Sequence, residues 1–216
     1  FAATNGTATA SLTAMTTQDP DVAITVTDVI NIAQAQTIAN ATTGTVVFQG
    51  GISDSLTNLV TGGAVKTATT VAVTHDPDVV ITITGNLVGT NVADLNAVTG
   101  STTGEVTATI SGTAAQLDDL TSPNTTDDLT ITVSDAVTVA QGNTIAKATT
   151  NAEVDFSAAG VNDAFANMLN GNAVHDSLSQ IKTKDGDVKI VISDTIENAT
   201  ADNITQLNAV GNTTTG

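Results

Sequence analysis

Residues 75–85 read His-Asp-Pro-Asp-Val-Val-Ile-Thr-Ile-Thr-Gly. Residues 18–28 read Gln-Asp-Pro-Asp-Val-Ala-Ile-Thr-Val-Thr-Asp, and residues 184–194 read Lys-Asp-Gly-Asp-Val-Lys-Ile-Val-Ile-Ser-Asp. A weaker copy at 125–135 reads Thr-Thr-Asp-Asp-Leu-Thr-Ile-Thr-Val-Ser-Asp. Asp21, Asp78, Asp128 and Asp187 align, at spacings of 57, 50 and 59. In each copy an acidic turn precedes apolar residues at every second position, the period of a half-buried strand. Ile24, Ile81, Ile131 and Ile190 therefore read as equivalent strand positions facing one interior.

A second pattern follows each of these. Residues 36–46 contain Thr-Ile-Ala-Asn-Ala-Thr-Thr-Gly-Thr-Val, and residues 143–154 contain Asn-Thr-Ile-Ala-Lys-Ala-Thr-Thr. Residues 94–106 carry Asp-Leu-Asn-Ala-Val-Thr-Gly and then Thr-Thr-Gly-Glu-Val, and residues 203–216 end on Thr-Thr-Thr-Gly. Small apolar residues at helical spacing predict helices near 31–41, 92–98, 138–149 and 198–210. Further strands are expected near 45–49, 105–110 and 152–157. Short helices should hold Leu56 with Leu59, Leu117 with Leu120, and Phe165 with Met168 and Leu169. The stretches 60–77 and 170–186 read as insertions that bulge out as loops.

Strand and helix alternating at about 25 residues per half implies parallel strands joined by helical crossovers. The expected fold is an α/β repeat, a right-handed parallel β/α-solenoid in which each coil buries its apolar stripe against its neighbours. A tandem β-sandwich is the alternative, although such domains need about seven strands per ~100 residues. One array is expected over residues 1–216, with repeats starting near 21, 78, 128 and 187 and a partial repeat at 1–20. Ala3–Ala10 matches the segment that should follow a Thr-Gly, so the chain reads as a slice of a longer array. Phe1, Ala2 and Ala3 at one end, and Leu207 and Val210 near the other, should then form open core edges.

Composition narrows the chemistry. The chain has 216 residues, 22 Asp+Glu against 5 Lys+Arg, a formal charge of −17, no Cys, Trp or Tyr, and four Phe. By count 43 residues are Thr. Without Cys there is no thiolate nucleophile, disulfide or Cys-type metal site. With so few basic residues there is no phosphate-binding footprint, and no nucleic-acid partner is expected. The hydrophobic fraction of 40% exceeds that of disordered acidic chains. No apolar run reaches the ~20 residues of a membrane span.

The paired acids are the sharpest candidate site. Asp19, Asp21, Asp76, Asp78, Asp185 and Asp187 flank a Pro or Gly before three of the strands. Ca²⁺ takes six to eight oxygen ligands, so such pairs are candidate calcium ligands, and calcium is the one candidate cofactor. Turn chemistry explains the same residues without metal. Asp28, Asp135 and Asp194 read as N-caps of the helices that follow. His75 and His175 read as surface residues; with no Cys and no paired His they make no zinc site. Asn5, Asn40, Asn124, Asn198, Asn203 and Asn212 each begin an Asn-x-Ser/Thr triplet, as expected in a chain rich in both.

The phrases Ile-Thr-Val-Ser-Asp, Ala-Thr-Ile-Ser-Gly-Thr-Ala-Ala-Gln-Leu-Asp-Asp-Leu and Asn-Thr-Ile-Ala-Lys-Ala-Thr-Thr resemble tandem repeats of giant Thr/Ala/Asp-rich bacterial surface-layer-like or secreted adhesin-like proteins. They also resemble repeats of large virion structural proteins of marine cyanobacterial phages. The resemblance implies a non-enzymatic structural segment of an extracellular, cell-surface or virion fibre. Its partners would be further repeats of the same chain or identical subunits, and no catalytic residue is carried over. The alternative is an adhesin-type module whose loops 60–77 and 170–186 contact a glycan or a protein. An enzyme on such a scaffold would need acids clustered with basic or aromatic subsites, which this composition does not supply.

Overall fold

The computed structural model describes residues 7–121, 124–150, 153–156, 158, 160–196, 200–213 and 215, with backbone alone over 7–11. Phe1, Ala2, Ala3, Asn5 and Asn198 lie outside the described residues. In chain order the elements are α1 (Thr7–Gln18), β1 (Ile24–Thr25), α2 (Ile32–Ala39), β2 (Val46–Val47), β3 (Ile52–Ser55), α3 (Leu56–Leu59), β4 (Val60–Thr61), β5 (Ala64–Val65), α4 (Thr67–His75) and β6 (Ile81–Val88). A 3₁₀ turn, Gly89–Asn91, leads to α5 (Val92–Thr99), β7 (Val106–Gly112), α6 (Ala114–Leu117), β8 (Asp128–Val133), α7 (Val139–Lys147), β9 (Val154–Asp155) and β10 (Val161–Asp163). A second 3₁₀ turn, Phe165–Met168, precedes β11 (Leu169–Asn170), β12 (Ala173–Val174), α8 (Asp176–Lys184), β13 (Ile190–Ile192) and α9 (Ala201–Gly211).

The chain is mixed α/β, built on a five-stranded parallel sheet of order β3-β6-β7-β8-β9, with four two-stranded sheets besides among the described residues. This overturns both the continuous solenoid and the tandem sandwich. Local geometry supplies the reason. Strand pairing between Ile24–Thr25 and Val46–Val47 stops at a corner over Phe48–Gly51, and resumes only as the bridge from Ile30 to Ile52. Between β9 and β10 the Gly160 amide donates to the Phe156 carbonyl. Two further sheets, β4–β5 and β11–β12, are antiparallel hairpins. They occupy the stretches 60–77 and 170–186, which are therefore hairpin plus helix and not loops.

Ile81 and Ile131 share the five-stranded sheet and are wholly buried. Ile24 and Ile190 belong to separate two-stranded sheets and are only half-buried. The four isoleucines do not line one interior.

The chain divides into two compact units. One comprises Phe1–Gly85, Ala93–Ala108 and Ser122–Asp128. In it α2 turns Ile32, Ala35 and Ala39 inward and packs on α4, which buries Thr69 and Ala72. The Asn31 side chain caps α2 by accepting the Gln34 amide, and Gln34 returns the bond to the Asn31 amide. The other unit comprises Asn86–Val92, Thr109–Thr121 and Leu129–Gly216. There α7 packs on α8, and a Cβ at Gly142 would stand 2.6 Å from Cδ1 of Ile181. Thr138 and Gln141 form the same capping box on α7.

The two sequence patterns bond to each other. Thr102 Oγ1 shares its proton between the carbonyls of Pro77 (3.1 Å) and Val79 (2.8 Å) and accepts the Gly104 amide at 2.9 Å. The Thr103 amide donates to the same Pro77 carbonyl at 2.8 Å. Thr42, Thr43 and Gly44 repeat this on Pro20 and Val22. The Thr-Thr-Gly segment thus closes over the turn that begins the preceding strand. Glycine is required because a Cβ at Gly104 would lie 2.2 Å from the Asp78 carbonyl oxygen.

Gly104→Ala should cost roughly 1–3 kcal/mol, since that backbone carbonyl must be displaced. Gly211→Ala, in α9 with open space around it, should be neutral or stabilising by up to about 1 kcal/mol. Thermal unfolding followed by circular dichroism separates the two. Equal melting points would refute the close approach at Gly104.

Candidate functional site

Among the described residues, seven aspartates accept backbone amides that precede them by 21 to 29 residues, and Asp94 accepts that of Gly63, 31 residues before it. Three act on strand or turn amides inside the fold. Asp76 Oδ2 accepts from Phe48 N at 2.6 Å, Asp127 Oδ1 from Val106 N at 3.0 Å, and Asp185 Oδ2 from Phe156 N at 2.8 Å. All three aspartates are buried. An enclosed amide without a partner is costly, and a carboxylate is a stronger acceptor than a neutral carbonyl.

The other four act where helices begin. Asp54 Oδ2 takes the Ile32 amide of α2 at 3.1 Å, and Asp163 Oδ2 takes the Val139 amide of α7 at 2.9 Å. Asp135 Oδ1 takes the Ala114 amide of α6 at 2.6 Å. Asp194 Oδ1 takes the Phe165 amide of the second 3₁₀ turn at 2.7 Å. The first amides of a helix have no partner within it, and the positive end of its dipole favours an anion.

Asp135 and Asp194 are thus helix-start acceptors, but for helical turns behind them in the chain. The expectation that they cap the following helices is corrected. Thr138 caps α7 and Thr200 caps α9. Asp28 is exposed, and the cap of α2 is Asn31.

The remaining oxygens decide how each acid titrates. Burial alone would raise Asp54, but the Asn58 side chain and the amides of Ile32 and Ser55 outweigh it and hold the carboxyl below its ordinary range. Asp163, with Asn167, Val139 and Ala164, is lowered in the same way. Burial raises Asp76; the Phe48 amide opposes it, and the neighbouring Asp78 carboxyl adds to the rise. Burial likewise raises Asp185, opposed by Phe156 and reinforced by Asp187. At the exposed first turn, hydrogen bonding to Asp21 is the main cause that raises Asp19.

The six candidate calcium ligands therefore fall into three facing pairs, each at its own turn. In two of the pairs the inner acid already holds a backbone amide, while Asp78 and Asp187 are exposed. Among the described residues no group of three or more His, Asp or Glu side chains is placed to hold a metal ion. His175 caps α8, its Nδ1 accepting the Ser177 amide at 3.1 Å, and His75 ends α4. Asn40 and Asn212 are helix C-caps, Asn203 belongs to a capping box, and Asn124 donates to the carbonyls of Thr99 and Thr102. Asp54, Asp127 and Asp163 escaped the sequence reading. The shared spacing of Asp54 with Asn58 and of Asp163 with Asn167 was the available signal.

An open cleft of about 470 Å³ is lined by Phe165, Leu169, Asp194, Ile196, Asn203 and Gln206. Its amides are engaged internally. Gln206 Nε2 donates to Gly171 O and Asn172 Oδ1, and Asn203 Oδ1 accepts from Thr200. Among the described residues no helix is long and apolar enough to cross a membrane.

Asp76→Ala leaves the Phe48 amide without its acceptor and should cost about 1–3 kcal/mol. Asp76→Asn keeps an acceptor and removes a charge facing Asp78, so at neutral pH it should equal or exceed the parent in stability. The pH dependence follows from the directions of shift. Acids raised in the folded state (Asp76, Asp185) favour folding below the ordinary carboxylate range, and that contribution is lost as pH rises through their raised values. Acids lowered in the folded state (Asp54, Asp163) contribute above the ordinary range and lose that contribution as pH falls through their lowered values. Denaturation midpoints should therefore fall as pH rises just above the carboxylate range, and the double variant Asp76→Asn/Asp185→Asn should flatten that fall. An unchanged profile in the double variant would refute the assignment.

No protein-family model, no curated protein and no solved structure matches this chain.

Proposed function

We propose that this chain is a non-enzymatic structural segment of a large extracellular or virion fibre or surface protein. The observation that carries the reading is the set of seven aspartate-to-amide bonds, each tying a segment to one 21 to 29 residues earlier. Ties of similar reach, each holding a segment to one behind it, fix the distance between those segments, which is what a spacer supplies. The Thr-Thr-Gly closures over the acidic turns serve the same end. A formal charge of −17 keeps copies apart in solution and is screened as salt rises. Further repeats of the same polypeptide or identical subunits are the natural partners, and nucleic acid is not.

The second reading, an adhesin-type module, rests on the exposed hairpin tips at Gly62–Gly63 and Gly171–Asn172. Immobilised chain presented to glycan arrays and intact bacterial cells separates the two. The structural reading expects no saturable retention. Saturable binding that is abolished by alanine substitutions in 60–65 and 169–174, with the melting point unchanged, would replace it with the adhesin reading.

A further inference from the structure

The hairpin of β11 and β12 carries Asn170-Gly171-Asn172 at its tip, and all three residues are exposed. Leu169 pairs with Val174 and Asn170 with Ala173, and His175 N donates to Met168 O at 2.8 Å. Bonded pairs alternate along an antiparallel ladder, so Asn170 and Ala173 are the next bonded pair and close the hairpin. Gly171 and Asn172 form the two-residue loop, with Gly171 at a φ of 62°. Among the described residues neither the Asn170 side chain nor the Gly171 amide has a hydrogen-bond partner. No atom beyond the chain neighbours lies within 4 Å of where a Gly171 Cβ would stand.

Asparagine is a thermolabile residue. Its side-chain amide carbon lies within reach of the next backbone nitrogen, and a side chain on that next residue obstructs the approach. Glycine removes the obstruction. Every other described asparagine precedes a residue that has a side chain. Asn167, three residues earlier, is also held by its bond to Asp163 at 2.7 Å. Asp185-Gly186 has the same open sequence, but the Asp185 carboxyl is buried and accepts the Phe156 amide at 2.8 Å. Asn170 thus combines an open neighbour, a free side chain and a free attacking amide. The same loop is what α9 grips, because Gln206 Nε2 donates to Gly171 O at 3.0 Å and to Asn172 Oδ1 at 2.9 Å.

We propose that Asn170 is a site of spontaneous covalent modification, and that its isoaspartyl product releases the hairpin tip from α9. The Gly171 nitrogen, losing its proton to hydroxide, bonds to Cγ of Asn170. The bond from Cγ to Nδ2 breaks, and the side-chain nitrogen leaves as ammonia. Water then opens the five-membered imide. Attack at Cγ breaks the new bond and leaves aspartate. Attack at the backbone carbonyl breaks the original peptide bond and leaves isoaspartate, with the chain now running through Cγ. Asparagine and one water become an acid and one ammonia, with no oxidant or catalyst. Aspartate adds only a charge. Isoaspartate adds a backbone methylene between Asn170 and the loop, so Ala173 loses its register with residue 170 and Gln206 loses a loop of the length it spans.

The test ages the folded 216-residue chain in mildly alkaline buffer and digests it with trypsin. Residues 148–182, between Lys147 and Lys182, are released as one peptide that also holds Asn162, Asn167 and Asn172 as internal references. Mass spectrometry with electron-transfer fragmentation locates the exchange of NH for O and separates isoaspartate from aspartate. Asn170 should convert first, at a rate within about tenfold of that in the free 148–182 peptide, because exposed loop tips open at little cost. Conversion of the free peptide while the folded chain is spared, or conversion led by a reference asparagine, overturns the site. The second arm isolates the isoaspartyl fraction by chromatography and compares it with the parent and with Asn170→Asp, which carries the charge alone. Amide exchange at Ala173, read by NMR, should be roughly tenfold faster in the isoaspartyl chain than in either of the others. An isoaspartyl chain that exchanges no faster than Asn170→Asp overturns the release of the tip. None of these outcomes depends on glycan or cell binding, so the structural reading stands or falls separately.

Discussion

The constraint on which this structure depends is that an amide buried in one segment finds its acceptor on the next. Strands of two to eight residues cannot satisfy every backbone group with ladder bonds, because corners interrupt pairing. At those corners the donors would be orphaned, at a cost comparable to a lost hydrogen bond each. Phe48 and Phe156 show the problem most plainly. Each sits just beyond a two-residue strand, with its ring buried and its amide turned inward. A carboxylate from Asp76 or Asp185 is the acceptor in each case. Without it, neither the turn nor the aromatic contact with the core would be held in register.

The high acidity of the chain follows in part from this device. An aspartate side chain is short enough to reach a neighbouring segment without large rotamer entropy, and it accepts in two directions. Asp54 uses both oxygens, one on Ile32 and one on Ser55 and Asn58, and is held ionised. Asp76 uses one oxygen on Phe48 and faces Asp78 with its carboxyl, and is pushed toward its neutral form. The same residue type thus takes opposite proton affinities according to how many donors its surroundings provide against how much water they remove. Threonine plays the complementary part. Its hydroxyl donates to carbonyls at the turns, where the carboxylates cannot help because they only accept.

Much of the local structure was legible because its signals are short-range. The helix expected near 138–149, found at Val139–Lys147, and the alternation through Ile131 and Val133 follow from neighbours within four residues. The reading failed where the deciding contact lies 20 or more residues away. Asp135 and Asp194 carry the right residue type for a cap, yet local spacing cannot say which helix they serve. The stretches 60–77 and 170–186 lack strong apolar alternation, but Gly62, Gly63 and Gly171 adopt positive φ. That turns each stretch into a hairpin, whose following helix then packs on α2 or α7. The assumption that equivalent motifs must share one sheet failed for a related reason. Motif likeness sets strand direction, but the corner at Phe48–Gly51 decides where the ladder of β1 and β2 stops.

The two repeated phrases are best understood as halves of one device, and this explains why each tolerates some changes and not others. In the acidic turn, Pro20, Pro77 and Gly186 differ in side chain but offer the same carbonyl oxygen. Only the backbone is read, so the middle residue need only fit a tight turn. In the closing phrase, Thr42 and Thr102 supply a hydroxyl that bridges two carbonyls, while Gly44 and Gly104 supply the absence of a side chain. The hydroxyl role passes only to serine without losing a bond, and the glycine role passes to no side chain without a backbone clash. At Thr149 the hydroxyl instead accepts the Leu129 amide at 2.9 Å. There the turn lacks Pro, and Asp127 comes one residue closer to its strand than Asp76 does. The shift of the buried acid by one position is matched by a change in the direction of the hydrogen bond, so the contact between the two phrases is kept while its polarity reverses.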